Sequence, residues 1–143
     1  MKTEETTLEI NLTALEKNIH YLKNRLKPTT LFLAVVKASS YGNNSVAIAS
    51  HLQKKGLVNY FAVAYTSEGI ALRKAGITLP ILVLHPQPIN FNDIVKYNLE
   101  PTLYSQRIAQ LFLDYAKIQQ LVNYPVHLKC NTGLNRLGFD LSE

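Results

Sequence analysis

The sequence predicts an α/β fold in which parallel strands alternate with helices. Runs of strand-forming residues begin near positions 31, 60, 80, 100 and 125, and segments with apolar residues at helical spacing separate them. Strands that recur every ~20–25 residues with helices between them indicate right-handed parallel crossovers. Such a sheet either closes as part of an eight-stranded barrel or stays open as a doubly wound sheet. No phosphate-type glycine fingerprint follows the first strand of the series, which disfavours a dinucleotide-binding fold.

The N-terminal elements follow from local patterns. Leu8–Leu12 alternates apolar and polar residues like a half-buried strand. Thr13 is predicted to cap the first helix, with Glu16 as its capping-box partner, and Pro28 ends that segment. Leu31–Val36 is a continuous apolar run, which predicts a strand buried on both faces.

The later elements are bounded by glycine, proline or capping residues. Helices are predicted to end at Gly56 and Gly76, and Ser105 is predicted to cap a longer helix. The predicted elements are a helix over 46–55, a strand over 60–64, a helix from Thr66, a strand over 80–84, a helix over 90–97, a strand over 100–103, a helix over 105–118 and a strand over 126–130.

One lysine, Lys37, comes directly after the apolar run and before a small-residue turn. Burying an unpaired ammonium is costly, so such a lysine either points into water or is neutralised. One neutral form is an imine with an aldehyde cofactor. In a barrel the functional groups stand at the C-terminal ends of the strands, where Lys37, Lys129 and the segment after Lys129 are predicted to lie.

A second segment, 129–139, places an arginine between two glycines. Gly133 and Gly138 permit tight backbone paths, and Arg136 lies between them. Its guanidinium is a permanently charged planar donor for a phenolate or carboxylate oxygen. Taken alone, this pattern is more often that of a surface loop than that of a ligand-binding site.

Composition excludes several classes of function. The chain has 143 residues and a net charge of +5, with 47% apolar and 17% charged residues, as in a globular domain. Its basic residues are scattered without interleaved aromatics, so no nucleic-acid partner is expected, and no apolar stretch predicts a membrane span. The single cysteine, Cys130, fits a reducing, cytoplasmic setting, and the four isolated histidines predict no metal site.

Together the two segments resemble the alanine racemase family. Residues 35–42 resemble that family's pyridoxal-phosphate lysine motif, and residues 129–138 resemble its second motif. Segments 8–12, 62–69 and 72–77 are also similar, so the resemblance covers essentially the whole chain. It is most similar to the racemase part of fused bacterial proteins that also carry a cell-wall peptide ligase.

The resemblance implies a fold and an activity. Family members have an N-terminal (β/α)8 barrel and a C-terminal β domain, form homodimers, and interconvert L- and D-alanine for peptidoglycan. Residues 1–143 would then be the N-terminal part of the cofactor-binding barrel, with about five of its eight strands, ending before the barrel is complete. Leu8–Leu12 would be a short preceding strand that belongs to the β-domain sheet.

The resemblance also implies roles for four residues. Lys37 would hold pyridoxal 5'-phosphate as an imine and act as the base on one face of the substrate carbon. Tyr41 would bind the cofactor phosphate, and Arg136 would contact the cofactor ring oxygen and the substrate carboxylate. Lys129 would carry the carbamate that family members often have there, and would orient Arg136.

Two departures and two alternatives accompany this interpretation. The base for the opposite face would come from beyond residue 143, so the chain alone is expected to have little or no racemase activity. Asn131 stands where the family more often has aspartate. The alternatives are a racemase or decarboxylase of the same fold for another amino acid, and a barrel protein that binds the cofactor without turnover.

Overall fold

The computed structural model describes residues 6–140, which form an α/β fold around one five-stranded sheet. The elements in chain order are α1 (Leu12–Lys23), β1 (Leu33–Val35), α2 (Lys37–Tyr41), α3 (Ser45–Lys54), β2 (Tyr60–Val63), α4 (Thr66–Lys74), β3 (Ile81–Val83), a 3₁₀ turn (Pro88–Asn90), α5 (Phe91–Lys96), β4 (Glu100–Leu103), α6 (Gln106–Ile118) and β5 (His127–Leu128).

The order of the strands decides between the two closures. Each strand pairs in parallel with the next one along the chain, in the order β1-β2-β3-β4-β5. A doubly wound sheet instead reverses its strand order at a switch point. The sequential order is that of a partial (β/α)8 barrel, which confirms the predicted fold class.

The core lies between the sheet and its helices. Phe61 and Val63 of β2 and Ile81 and Val83 of β3 are all 0% exposed. Full burial of such side chains contributes about 1.5–3 kcal/mol each. The helices and loops that cover this face contribute further buried side chains, namely Leu52, Leu72, Ile94, Leu99, Ile108 and Phe112. The central strands are therefore as buried as their apolar sequences predict.

The first strand is the exception to that burial. Leu33 and Val35 remain 38% and 50% exposed, so the prediction of a strand buried on both faces was wrong for β1. An apolar run reports hydrophobicity but does not reveal whether the strand lies inside a sheet or at its edge. Within residues 6–140, β1 pairs only with β2, and its side chains opposite the helices have little cover.

The predicted strand over Leu8–Leu12 does not form. Residues 6–11 have no regular structure, and helix α1 already begins at Leu12. A strand requires a partner, and none of the strands in the described chain pairs with this segment. The predicted cap was also displaced by two residues, because the side chain of Asn11, not Thr13, accepts from the Ala14 N–H at 2.9 Å. The predicted Ser105 cap is confirmed by its bond from the Ile108 N–H at 3.3 Å.

Arg73 ties together the N-terminal ends of the later strands. Its guanidinium donates to the carbonyls of Ile77, Leu79, Tyr97 and Asn98 at 2.7–3.0 Å. Burial lowers the pKa of this arginine from its ordinary value. Because one planar group satisfies four loop carbonyls, it fixes two neighbouring loops at the end of the sheet away from Lys37.

No helix within residues 6–140 combines the length and apolar character needed to cross a lipid bilayer.

Candidate functional site

Lys37 and Arg136 line the same cavity at the C-terminal ends of the strands. This cavity has a volume of about 390 Å³, and its lining also includes Tyr65, His85 and Leu137. Lys37 follows β1, while Arg136 lies in the segment after β5, nearly a hundred residues later. Because parallel strands present their C-terminal ends at one edge, the fold brings these two cations together.

The strand register defines the side of the sheet that faces the barrel interior. Thr102 of β4 pairs with His127 of β5, and Leu82 of β3 pairs with Glu100 of β4. Side chains at these positions lie opposite the helices, and Glu100 and His127 meet there, with their Oε2 and Nε2 atoms 2.8 Å apart. Tyr60 joins them through a 2.9 Å bond to His127 Nε2. A polar cluster therefore occupies the interior below the Lys37 cavity.

The backbone after Lys37 forms a left-handed turn, which is element α2. Ala38, Ser39, Ser40 and Tyr41 have φ values of 50°, 53°, 52° and 55°. Each non-glycine residue in this region costs roughly 1–2 kcal/mol. Four successive residues of this kind persist only if surrounding contacts hold them, and such strain concentrates at functional sites. The residue that bears the predicted catalytic amine thus begins a strained segment.

Tyr41 ends this turn but does not line the Lys37 cavity. Its side chain is 72% exposed. It borders a separate apolar cavity of about 340 Å³ between α1 and β1, beside Val35 and Ser40. Lys37 and Tyr41 therefore stand at the two ends of the same turn and border different cavities.

The loop that carries Arg136 closes on itself through backbone bonds. Asn131 N–H donates to the Phe139 carbonyl at 2.7 Å, and Phe139 N–H donates to the Lys129 carbonyl at 2.8 Å. Cys130 and Phe139 form a parallel bridge. The loop is anchored to the sheet because Gly138 N–H donates to the carbonyl of Tyr104 at 3.1 Å. Arg136 is consequently held on a short closed loop, with its side chain exposed.

Asn131 organises this loop from within. Its Oδ1 accepts from the backbone N–H groups of Gly133 and Asn135 at 3.3 and 3.1 Å. Its Nδ2 donates to Asn135 Oδ1 at 3.1 Å and to Asp140 Oδ1 at 2.9 Å. The amide thus uses an acceptor and a donor, a combination that an ionised aspartate lacks.

Lys129 lies two residues after His127, on the interior side of the sheet, and is half-buried. Its backbone N–H donates to the Leu103 carbonyl at 3.0 Å, which extends the pairing of β5 with β4. Lys129 is not among the residues that line the Lys37 cavity. Of the four predicted site residues, the structure brings Lys37 and Arg136 into one cavity, and Tyr41 and Lys129 are not among the residues that line it.

An aromatic group that sequence reasoning missed forms one wall of the cavity. The His85 ring lies 5.7 Å from that of Tyr65 and 5.2 Å from that of Tyr104, centroid to centroid. Burial raises the pKa of the Tyr104 hydroxyl above its ordinary value. By sequence, His85 is one of four isolated histidines, which predict no metal site. Its position just after the buried strand β3 was the available signal.

Glu68 is the second residue that was missed. Its Oε1 accepts from the Ala38 N–H at 2.6 Å, and its Oε2 accepts from the N–H groups of Ala64 and Tyr65 at 2.7 and 3.0 Å. An acid three residues past a helix cap often bonds back to the cap, so the Tyr65 bond could have been read from sequence. The bond to Ala38, 30 residues away, could not.

The cavity fits a small carbonyl compound that carries negative charge. A primary amine is the group that condenses with an aldehyde, and a guanidinium binds phenolate, phosphate or carboxylate oxygens. Aromatic side chains at the wall suit a planar ring. The residues present therefore fit a phosphorylated aromatic aldehyde such as pyridoxal 5'-phosphate. Across residues 6–140, no group of three or more His, Cys, Asp or Glu side chains is arranged to hold a metal ion.

Comparison with known proteins gives one consistent family. A family profile described as "Alanine racemase, N-terminal domain" matches residues 10–143. The alanine racemase of Synechocystis sp. is 40% identical over 141 residues, which is 96% of this chain and 37% of that protein. An amino-acid racemase of Enterococcus faecalis is 37% identical over 142 residues, covering 99% of this chain and 19% of that one.

Solved structures agree with the sequence matches. Alanine racemase from Clostridium difficile 630 superposes with a TM-score of 0.85 at 39% identity, over 94% of this chain and 36% of that one. Alanine racemase from E. faecalis gives a TM-score of 0.79 at 37% identity, over 91% and 35%. The chain thus spans little more than a third of the length of these alanine racemases, and 19% of the amino-acid racemase.

Proposed function

Because this chain belongs to the alanine racemase N-terminal domain family, we propose that its protein interconverts L-alanine and D-alanine with pyridoxal 5'-phosphate as cofactor. Residues 1–143 would be the N-terminal part of the cofactor-binding barrel. The product would supply D-alanine for peptidoglycan, and the reaction would take place in the cytoplasm. The relatives named alanine racemase support the substrate and the reaction.

The observation that carries the proposal is that Lys37 and Arg136 share one cavity. When bound, the cofactor supplies an electron sink that makes removal of the substrate α-proton feasible. Lys37 would bind the cofactor covalently through Nζ and, once released from it, would accept and return the α-proton on its side of the substrate. Arg136 would bind an anionic oxygen at the same cavity and orient the bound molecule.

Two flanking residues would complete these contacts. The Tyr41 hydroxyl would bind the cofactor phosphate, which requires its exposed side chain to turn toward the cavity. Lys129 would orient Arg136, as a carbamate whose negative charge faces the guanidinium. The half-buried, interior position of Lys129 supports this role.

Racemisation needs a second base on the opposite face of the substrate, because a single base returns the proton to the side it came from. We propose that a second copy of the protein supplies this base in a homodimer. The described chain leaves the Lys37 cavity open to such an approach, since Tyr65 at its rim is 52% exposed.

A chimera tests the function. Residues 1–143 would replace the matching segment of the C. difficile alanine racemase, with which they align over 94% of this chain. The chimera should exchange the α-proton of alanine in heavy water, as the parent enzyme does. Lys37→Ala should abolish both this exchange and the borohydride-trapped pyridoxyl adduct, read by mass spectrometry. Lys55→Ala, at the end of α3, should preserve both.

The other outcomes separate the alternatives. An adduct on Lys37 without proton exchange in a folded chimera would contradict racemisation and favour a cofactor-binding protein without turnover. Exchange of serine but not of alanine would contradict the substrate. Serine is tested because one of the two E. faecalis relatives is named an amino-acid racemase, without a stated substrate. An adduct on any lysine but Lys37 would overturn the site itself.

A further inference from the structure

We propose that Glu68 is a positioning residue that holds the left-handed turn of α2 and thereby sets the place of the Lys37 amine. This inference rests on the proposed function only for its catalytic consequence. Its structural part stands on three hydrogen bonds from one carboxylate to two separate segments of backbone.

The two carboxylate oxygens serve different parts of the chain. Oε2 is fixed to the β2–α4 corner by the N–H groups of Ala64 and Tyr65, at 2.7 and 3.0 Å. Oε1 reaches across to the N–H of Ala38, at 2.6 Å. The corner is anchored in turn by β2, whose residues Phe61 to Val63 are almost completely buried. The carboxylate therefore ties the segment after β1 to the buried strand β2.

The bond falls on the first strained residue. Ala38, with φ 50° and ψ 46°, follows Lys37 directly and is the residue at which the chain enters the left-handed region. Alanine favours the right-handed region, so without an external contact this residue would leave the left-handed one. Charge-assisted bonds to backbone N–H groups are the stronger kind, which suits them to hold a strained backbone.

Glu68 acts through the backbone and not through the charge of the lysine. In the described part of the chain, the ion pairs involve Glu16 and Glu100 as the acids, and none joins Glu68 to Lys37. The three hydrogen bonds to this carboxylate, from Ala38, Ala64 and Tyr65, all come from main-chain nitrogens. Its effect on the amine is therefore one of position.

Hydrogen exchange on the purified 143-residue chain, without cofactor, directly tests whether Glu68 holds the backbone at Ala38. Glu68→Gln keeps the shape of the side chain but leaves one of its two ends unable to accept a bond. We expect the Ala38 amide in the 37–42 segment to exchange about tenfold faster or more, the effect of losing one charge-assisted bond.

Gln53→Leu is the matched control. Gln53 Oε1 also accepts two backbone N–H groups from another segment, those of Thr78 and Leu79 at 2.8 and 3.1 Å, but at the opposite end of the sheet. This variant should leave exchange at 37–42 unchanged. Unchanged exchange in Glu68→Gln, or an equal increase in Gln53→Leu, would overturn the proposal.

A rescue variant distinguishes a role of Glu68 in holding Ala38 from a role confined to capping the start of α4. Glycine adopts positive φ without the penalty that alanine incurs. Adding Ala38→Gly to Glu68→Gln should therefore restore much of the protection from exchange that the 37–42 segment loses in Glu68→Gln. If Glu68→Gln alone does not fold, the double variant Glu68→Gln/Ala38→Gly should fold. Absence of any recovery in the double variant would show that Glu68 serves only the helix terminus.

The catalytic consequence is measured separately in the chimera described above. There Glu68→Gln should reduce the yield of the Lys37 pyridoxyl adduct at limiting cofactor about tenfold, and Ala38→Gly should recover it. Full adduct yield in Glu68→Gln with faster exchange at 37–42 would refute the positioning of the amine. If wild-type chimera forms no adduct at all, the proposed function fails, whereas the exchange result on the chain is unaffected.

Discussion

Gly138 lies against the backbone of Asn131 with no room for a side chain. A Cβ atom at Gly138 would stand 2.6 Å from the Asn131 nitrogen and 2.7 Å from the Cys130 carbonyl carbon. The φ angle of Gly138 is also +129°, a value that residues with side chains rarely adopt. This contact closes the loop that presents Arg136.

Gly138→Ala should therefore open the loop. Gly133, with φ +120° and nothing within 4 Å of its would-be Cβ, is the matched control, because alanine there meets only the backbone penalty. We expect Gly138→Ala to lower the free energy of unfolding by about 1–3 kcal/mol more than Gly133→Ala does, measured by denaturant titration. Equal losses in the two variants would show that the close contact is relieved at no cost.

The Asn131 amide makes a bond that an aspartate would turn into repulsion. Asn131→Asp would place two carboxylates at the distance of the present 2.9 Å bond to Asp140. We expect a loss of about 1–2 kcal/mol in unfolding free energy at pH 7, with partial recovery at acid pH as one carboxylate takes up a proton. The exchanged pair, Asn131→Asp with Asp140→Asn, should be more stable than Asn131→Asp alone. A double variant no better than the single one would count against the contact.

Glu16 makes the stability of the α1–α3 contact depend on acid pH. His51 Nε2 lies 2.7 Å and Lys55 Nζ 3.4 Å from Glu16 Oε1, and the bond to His51, followed by that to Lys55, lowers the pKa of this carboxyl below its ordinary 4.5. The unfolded chain therefore takes up the proton first as the pH falls. The contribution is fully present above about pH 4.5 and is lost as pH falls through the folded pKa. Between pH 7 and 3 the melting temperature should fall less steeply in Glu16→Gln than in the parent chain. Equal slopes in the two proteins would contradict the role of Glu16.

Tyr124 gives the corresponding dependence in alkali. Its hydroxyl lies 2.7 Å from the Leu99 carbonyl and 3.1 Å from that of Ile94, and burial, followed by the charge of Glu100, raises its pKa to about 12. The unfolded tyrosine loses its proton near pH 10, so stability is complete below that pH and declines as pH rises toward 12.

Tyr124→Phe separates this hydroxyl from other alkaline effects. It should cost about 1–2 kcal/mol at pH 7, because the two carbonyls lose their shared donor. It should also flatten the decline in melting temperature between pH 9 and 11. Tyr21→Phe is a suitable control, since Tyr21 is 59% exposed. The same alkaline slope in both variants would refute the role of Tyr124.

Much of the architecture could be predicted from the sequence, because the spacing of apolar residues and the residues that begin or end helices are local features. Buried runs such as Phe61–Val63 and caps such as Ser105 carry their own signals. The meeting of Lys37 and Arg136 also followed, since parallel strands share one C-terminal edge.

What could not be read depends on tertiary partners. The alternation at Leu8–Leu12 predicts a strand, but a strand forms only beside a partner. The residues Ala38 to Tyr41 favour right-handed geometry by themselves, yet all four have positive φ. The carboxylate that counteracts this preference at Ala38 belongs to Glu68, which lies 30 residues away on α4. Propensity reports what a segment prefers in isolation and cannot report what a distant contact imposes.

The strand order has a consequence for how the polypeptide is made. Each strand pairs with the one synthesised just before it, so every new βα unit finds a finished docking edge as it leaves the ribosome. Assembly can therefore proceed from the amino end during translation, without waiting for distant segments. Because Lys37 follows β1 and Arg136 follows β5, the strands β2 to β5 are all synthesised between the amine and the guanidinium that share the cavity.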